Sequence, residues 1–500
     1  MWLGKGQCIE QYGPGEPYMP VLEAFARLCR GADKAAVLEV LHRYAPTWLV
    51  HLPGLLSDTE RETLQRQVGG ATRDRMLREM AEALESLTVD RPFLLCLEDL
   101  QWSDYSTLAL LAAIAARPEP ARLFVLGTAR LFDSLAAGHP LKKLRVQLQR
   151  TSHYHEITPS FLSAEAVEHY LAQRFTDRTL PLGVGQFVHH HAEGNPLFMV
   201  NVTDYLEQKR MLDSGNEEGL QQMVNGAAVE VPENLRQLII HLSEQLSSEE
   251  QEVLTAASVA GIEFSAATVA AGLAQNEGAV EQRCATLALR GHFLQAVGTA
   301  EWPDGTFVAR YRFIHALYQN VLYERVPQGQ RAAMHLRIAE RLERAYHGRL
   351  AEVAVELGVH FEQGRDFRRA VHYIGQAAQN AMWAYAYQEA IDHLNRGIAL
   401  LSHFSESPER TQQELGLQVG LSLSLMHTRG FAAPEVEQAY KRTRNLIRIV
   451  SDSPQRFAAL WGLRNFHLVR GELQTGRAIA QEFLEFVQRS GMSGLVAEAH

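Results

Sequence analysis

The sequence is poor in several signals that would otherwise fix a function class. No run of its 500 residues approaches the roughly 18 apolar residues of a membrane span, and the start carries no signal-peptide pattern. Those two absences point to a cytoplasmic protein with no membrane partner. Only four cysteines occur (Cys8, Cys29, Cys96, Cys284), none in a C-x-x-C pair, which excludes a disulfide scaffold and leaves buried free thiols. There is no Gly-x-Ser-x-Gly and no His-Glu-x-x-His, so a serine-hydrolase elbow and a zinc-protease helix find no support. Gly183-x-Gly185 lacks the third glycine of a dinucleotide fingerprint. A net charge of −10 argues against a broad phosphate-binding surface, so no direct nucleic-acid contact is expected. The absence with most consequence is Gly-x-x-x-x-Gly-Lys-Ser/Thr, the loop whose amides and lysine cradle nucleotide phosphates; Leu3-Gly4-Lys5-Gly6 has neither its spacing nor its hydroxyl.

What is present begins at Phe93-Leu-Leu-Cys-Leu97, an apolar run introduced by Arg91-Pro92 and ended by Glu98 and Asp99. Such a run reads as a strand buried on both faces of a parallel sheet. Acids at the carboxyl end of such a strand sit where open α/β sheets bind ligands. This is the layout of a Walker B element, in which one carboxylate holds Mg²⁺ and a second acid polarises water. A buried strand that simply meets an acidic turn is the plainer alternative.

Around it the first 158 or so residues read as α/β. Pro20 opens an amphipathic helix, residues 71–88 form another, Ser106–Ala116 is helical, and Arg122–Arg130 is a second buried strand. Ser163 caps a helical stretch to 211 that breaks at Gly194-Asn195-Pro196. A polar connection spans 213–230, and a helical unit follows with strands near 293–297 and 307–313, resembling a winged helix. From about 327 helix follows helix. Gly364–Tyr373 and Tyr387–Leu394 share a frame that sets Ala370 and Ala390 where antiparallel helices cross, as in tetratricopeptide-type hairpins able to fold without the α/β part. The expected domains are 1–158 (nucleotide domain without its phosphate loop), 159–230 (helical lid and linker), 231–326 (winged-helix-like) and 327–500 (repeats).

With these motifs in order, the chain resembles the STAND-type AAA-related P-loop ATPases of bacterial signalling and transcriptional regulators. The resemblance rests on Gly6-Gln-Cys…Tyr12-Gly-Pro-Gly-Glu-Pro-Tyr-Met-Pro20, Leu97–Asp104, Gly127-Thr-Ala-Arg130, Gly194-Asn-Pro-Leu-Phe198, Val231-Pro-Glu-Asn-Leu-Arg236 and Arg312-Phe-Ile-His315. It implies ATP and Mg²⁺ as cofactors, with Glu98 and Asp99 as the Walker B acids. Glu98 is preferred for the metal and Asp99 for the water, the reverse assignment staying open. It further implies Thr128 and Arg130 as sensors of the γ-phosphate, and Gly194 and Pro196 on the adenine side. In relatives the missing loop lies upstream of the position of Met1, so the chain reads as truncated at both ends, with an output domain on the missing parts.

Each assignment has a structural counterpart. Arg130 also fits a surface ion pair, Trp102 packing, and Gly194–Pro196 a helix end and restart. His189-His190-His191 points in successive directions around a helix and is not expected to bind metal. Two functions follow. One is a signal-transduction ATPase switch with a protein or small-molecule effector on the repeats. The other is a non-enzymatic interaction module with a degenerate ATPase domain.

Overall fold

The structure is a computed structural model. It describes the chain apart from residues 10–15, 32, 53–54, 69–71, 118–120, 131–138, 152, 178–179, 182, 209–210, 213–234, 432, 451–453 and 491–500. The 213–230 connection, Tyr12–Gly15 and residues 231–234 lie outside the described residues. Two compact units emerge, one of residues 1–155 with 346–500, the other of 156–345.

The α/β part of the first unit begins with β1 (Trp2–Gln7), which pairs in parallel with β2 (Phe93–Glu98). β2 pairs in parallel with β3 (Leu123–Gly127), giving the order β1-β2-β3 with β2 central. Between them run α1 (Met19–Leu28), α2 (Arg73–Thr88) and α3 (Tyr105–Ala115). Burial alternates along β1 and β2, as a period of two requires. Trp2, Phe93, Leu95 and Leu97 are buried with Phe25, Trp48, Leu84 and Leu111 in one core. Trp2 anchors it by donating Nε1–H to the carbonyl of Leu87 at 2.9 Å. Gly6 is required here, because a Cβ would collide with the carbonyl oxygen of Pro20 at the start of α1.

The opposite face of the sheet differs from the expectation of strands buried on both sides. Phe124 is 64% exposed and Leu126 48%, and Leu3 on the other edge strand, across Leu94, is exposed too. The described helices place their apolar residues in the core on the first face, so the second face of β3 has nothing comparable to bury against.

In the second unit, α4 (Ala164–Arg174), α5 (Val184–Ala192) and α6 (Pro196–Gln208) pack in sequence. α7 (Ser248–Ala260) starts at a reciprocal capping box between Ser247 and Glu250. β4 (Glu263–Ser265), α8 (Ala266–Leu273), α9 (Glu277–Arg290), β5 (Leu294–Glu301) and β6 (Phe307–Phe313) follow, the strands forming an antiparallel sheet in the order β4-β6-β5. α10 (Gln328–Ala345) closes on α8, where Arg337 Nε donates to the carbonyl of Gly272 at 2.9 Å.

The helical part of the first unit is a run of antiparallel helices: α11 (Ala354–Gln363), α12 (Phe367–Trp383), α13 (Tyr387–Leu400), α14 (Pro408–Arg429), α15 (Pro434–Ile447), α16 (Pro454–Val469) and α17 (Leu473–Ser490). Most helices pack mainly on the next in sequence, the local pattern of a repeat array, although α16 lies more on α14 than on α15. Ala370 and Ala390 are fully buried where these helices meet. The array also touches the α/β part, since Tyr385 packs on its core.

Replacing Ala370 by leucine is expected to cost about 1–3 kcal/mol, because the added carbons must force two packed helices apart. Urea denaturation followed by circular dichroism reads this; an unchanged midpoint would mean that the crossing has room to spare.

Candidate functional site

The carboxyl ends of β2 and β3 bring four of the expected site residues together. Glu98 is the last residue of β2, on the same side of the strand as Leu94 and Cys96. Its carboxylate is exposed and has no hydrogen bond or ion pair among the described residues. The chain then turns sharply at Asp99, whose φ of 58° lies in the left-handed region. For a residue with a Cβ this conformation is uncommon, and Asp tolerates it better than most.

Thr128, the residue after β3, holds that turn in place. Its Oγ1 accepts the Asp99 amide at 3.0 Å, its own amide donates to the carbonyl of Leu97 at 3.0 Å, and its carbonyl accepts the Leu100 amide at 2.8 Å. Gly127 permits the approach, since a Cβ there would run into the side chain of Leu100. Gln101 makes the next link: its side-chain amide donates to Asp99 Oδ1 at 2.9 Å, and its Oε1 accepts the Arg130 amide at 3.1 Å. The Arg130 guanidinium lies 5.3 Å from the centre of the Trp102 ring, a cation–π contact. Glu98, Asp99, Thr128 and Arg130 thus form one surface, with Gln101 and Trp102 beneath it.

The loop ends at Asp104, the N-cap of α3, which accepts the Thr107 amide at 2.7 Å and the Thr107 hydroxyl at 2.7 Å. It also accepts the Tyr18 amide at 2.9 Å, fixing the start of α1. Burial raises the Asp104 carboxyl above its usual range against these donors. Cys8, just past β1, is buried beside this loop, and burial pushes its thiol up to about 12, with Asp104 and Asp99 adding to the effect. A thiol held protonated in this way is a poor nucleophile.

Gly194 and Pro196 lie in the other compact unit. Gly194 has φ +73° and its carbonyl accepts the Leu162 amide at 2.8 Å, while Asn195 Oδ1 takes the amides of Leu197 and Phe198 at 3.0 and 3.1 Å. Pro196 is the first residue of α6. This geometry uses all three residues to end one helix and begin the next. His189 and His191 turn to the backbone carbonyls of Leu162 and Phe187.

Two residues of the site carried no role in the sequence reading. Gln101 was visible within the Leu97–Asp104 motif, but a lone glutamine gives no sign of bridging two strands. Glu389, on α13, donates nothing to any motif, yet its Oε1 accepts the Ser106 amide in the first turn of α3 at 2.8 Å.

A parallel sheet with paired acids at the end of its central strand and a hydroxyl-bearing strand beside them defines an NTPase-like domain, here followed by helical repeats. Residues 4–126 match the family of AAA ATPase domains. This agrees with the AAA-related ATPase part of the resemblance read from the motifs. No curated protein matches the chain. Among solved structures the chain is similar to a Signal Transduction ATPase with Numerous Domains (STAND) protein with a tetratricopeptide repeat sensor from Pyrococcus horikoshii, at 12% identity and a TM-score of 0.37, over 92% of this chain and 71% of that one. Among the described residues no helix is long and apolar enough to cross a membrane.

Replacing Thr128 by valine removes the acceptor of the Asp99 amide and is expected to cost about 1 kcal/mol, whereas serine should cost little. Chemical denaturation of both variants tests the tie; equal midpoints for valine and wild type would show that Thr128 does not hold the turn.

Proposed function

We propose that the chain is part of an ATP-dependent signalling switch, its α/β domain reading the nucleotide and its repeats receiving an effector. The observation that carries this is the single surface formed by Glu98, Asp99, Thr128 and Arg130 at the carboxyl end of the sheet. In this reading the Glu98 carboxylate, a hard oxygen donor of the kind Mg²⁺ takes, holds the metal. Mg²⁺ when bound supplies charge neutralisation on the phosphates. Asp99, oriented by Gln101, positions the attacking water, and Thr128 and Arg130 meet the γ-phosphate. No Gly-x-x-x-x-Gly-Lys-Ser/Thr loop occurs in these 500 residues. The open edge of β3, with Phe124 and Leu126 exposed, suits an added parallel strand and a covering helix.

The reading keeps the divisions 1–158, 159–230, 231–326 and 327–500, with a winged-helix role for the β4-β6-β5 sheet and its helices. It takes the protein as cytoplasmic, with an output domain beyond these residues and an effector, protein or small molecule, on the helical array. A ligand there acts only by binding one state more tightly than the other. The second reading, a non-enzymatic interaction module, is favoured by the missing phosphate loop.

Residues 1–500 alone are expected to bind Mg·ATP weakly, since the loop amides and lysine supply most anion contacts. Calorimetry giving low-micromolar affinity would contradict this. In a protein that includes the phosphate loop, Glu98→Gln should weaken Mg·ATP binding. There Asp99→Asn should preserve binding and lower turnover by about 10²-fold or more. Hydrolysis unaltered by either substitution would remove the acids from the site and leave the interaction module.

A further inference from the structure

The first turn of α3 receives two carboxylates from different parts of the chain. Asp104 caps it from the site loop, and Glu389 reaches it from the first turn of α13 in the helical array. Glu389 is 1% exposed, and Ser106 and Thr107 are buried beside it. Neither acid has an ion-pair partner among the described residues. The helix N-terminus offers partial positive charge sufficient for about one anion. Both acids accept amides and a hydroxyl, Asp104 from Thr107 and Tyr18, Glu389 from Ser106 and its own backbone. What separates them is enclosure: Asp104 keeps part of its surface in solvent and Glu389 almost none, so Asp104 is the one that keeps the negative charge, and Glu389 the one that keeps a proton.

We propose that Glu389 is a proton-gated latch, protonated while α13 is docked on α3 beside ionised Asp104, and that loss of its proton loosens this contact. The latch stands apart from the nucleotide reading, because it needs only the two carboxylates and the helix end. It would nonetheless bear on the site, since Asp104 ends the loop that begins at Glu98 and also fixes Tyr18. The other titratable or charged groups facing the pair are Asp392 and Tyr105 near Glu389, Cys8 near Asp104, and Tyr18 near both, with Arg73 beside Tyr18. None of these cations or phenols pairs with Glu389 directly.

Burial, and after it the Asp104 charge, raises the Glu389 carboxyl from 4.5 to about 7. A group raised on docking supports the docked form fully below pH 4.5 and loses that support as pH climbs through about 7. Between pH 6 and 8 the opening constant of the contact should therefore rise about tenfold.

Hydrogen–deuterium exchange of the whole chain at pH 6 and pH 8, corrected for intrinsic exchange rates, reads this opening in peptides covering 105–115 and 387–400. Peptides from 248–260 serve as reference. Wild type should lose about tenfold protection in the first two segments and none in the third. Glu389→Gln keeps an oxygen for the Ser106 amide and carries no charge, so its protection should be high and independent of pH. Glu389→Ala, which lacks the acceptor, should be less protected at both pH values and equally flat; unchanged circular dichroism confirms that each variant is folded. A flat wild-type profile, or a Glu389→Gln profile with the wild-type slope, overturns the latch. No nucleotide enters the experiment, so its outcome is separate from that of the ATPase reading.

Discussion

The Asp104 carboxylate is where the α/β part of the first unit is drawn together. By accepting the Thr107 amide it starts α3, and by accepting the Tyr18 amide it sets where α1 begins, 86 residues away in sequence. Tyr18 must take a left-handed φ of 59° to present that amide, and its ring is then fully buried against Trp48 at a centroid distance of 4.7 Å. Without an acceptor at position 104, a buried amide and a strained residue would both lose their compensation. The loop 98–104 is therefore held at two ends, by Thr128 at Asp99 and by these amides at Asp104.

That double anchoring explains why the site residues sit on a firm base although three of them are exposed. Each reaches solvent from the end of a strand whose alternate residues lie in or against a continuous core. A site built in this way keeps its side-chain geometry without needing a closed pocket, which suits a surface that another element completes. The uncovered face of β3 fits the same picture, because apolar residues there lack the burial that a central strand normally receives. In the helical array, stability is local, each helix resting on its neighbours, and the contact through Glu389 and Tyr385 joins that array to the α/β part.

Much of this was legible in the residues. β2 was expected at 93–97 and runs from Phe93 to Glu98; α2 was expected at 71–88 and runs from Arg73 to Thr88. The hairpin of β5 and β6 and the caps at Ser163 and Ser247 also follow from local chemistry. β1 was not visible, because Trp-Leu-Gly-Lys-Gly-Gln has weak strand propensity and becomes a strand by pairing with β2. Likewise β3 carries the apolar run of a buried strand, but exposure depends on what lies against each face, and no pattern within five residues records that.

The sequence by itself determined the order of elements, the acids at the end of β2 and the alanine-centred helical frames, since these arise from contacts within a few residues. Tertiary structure alone decided that Thr128 and Gln101 bind Asp99 in its turn, that Gly194 and Pro196 fall in another unit, and that Glu389 meets Ser106 across 283 residues. Hydrogen bonds of that kind depend on positions that chain packing sets. A glutamate on an amphipathic helix reads as a solvated residue until the helix beneath it is known.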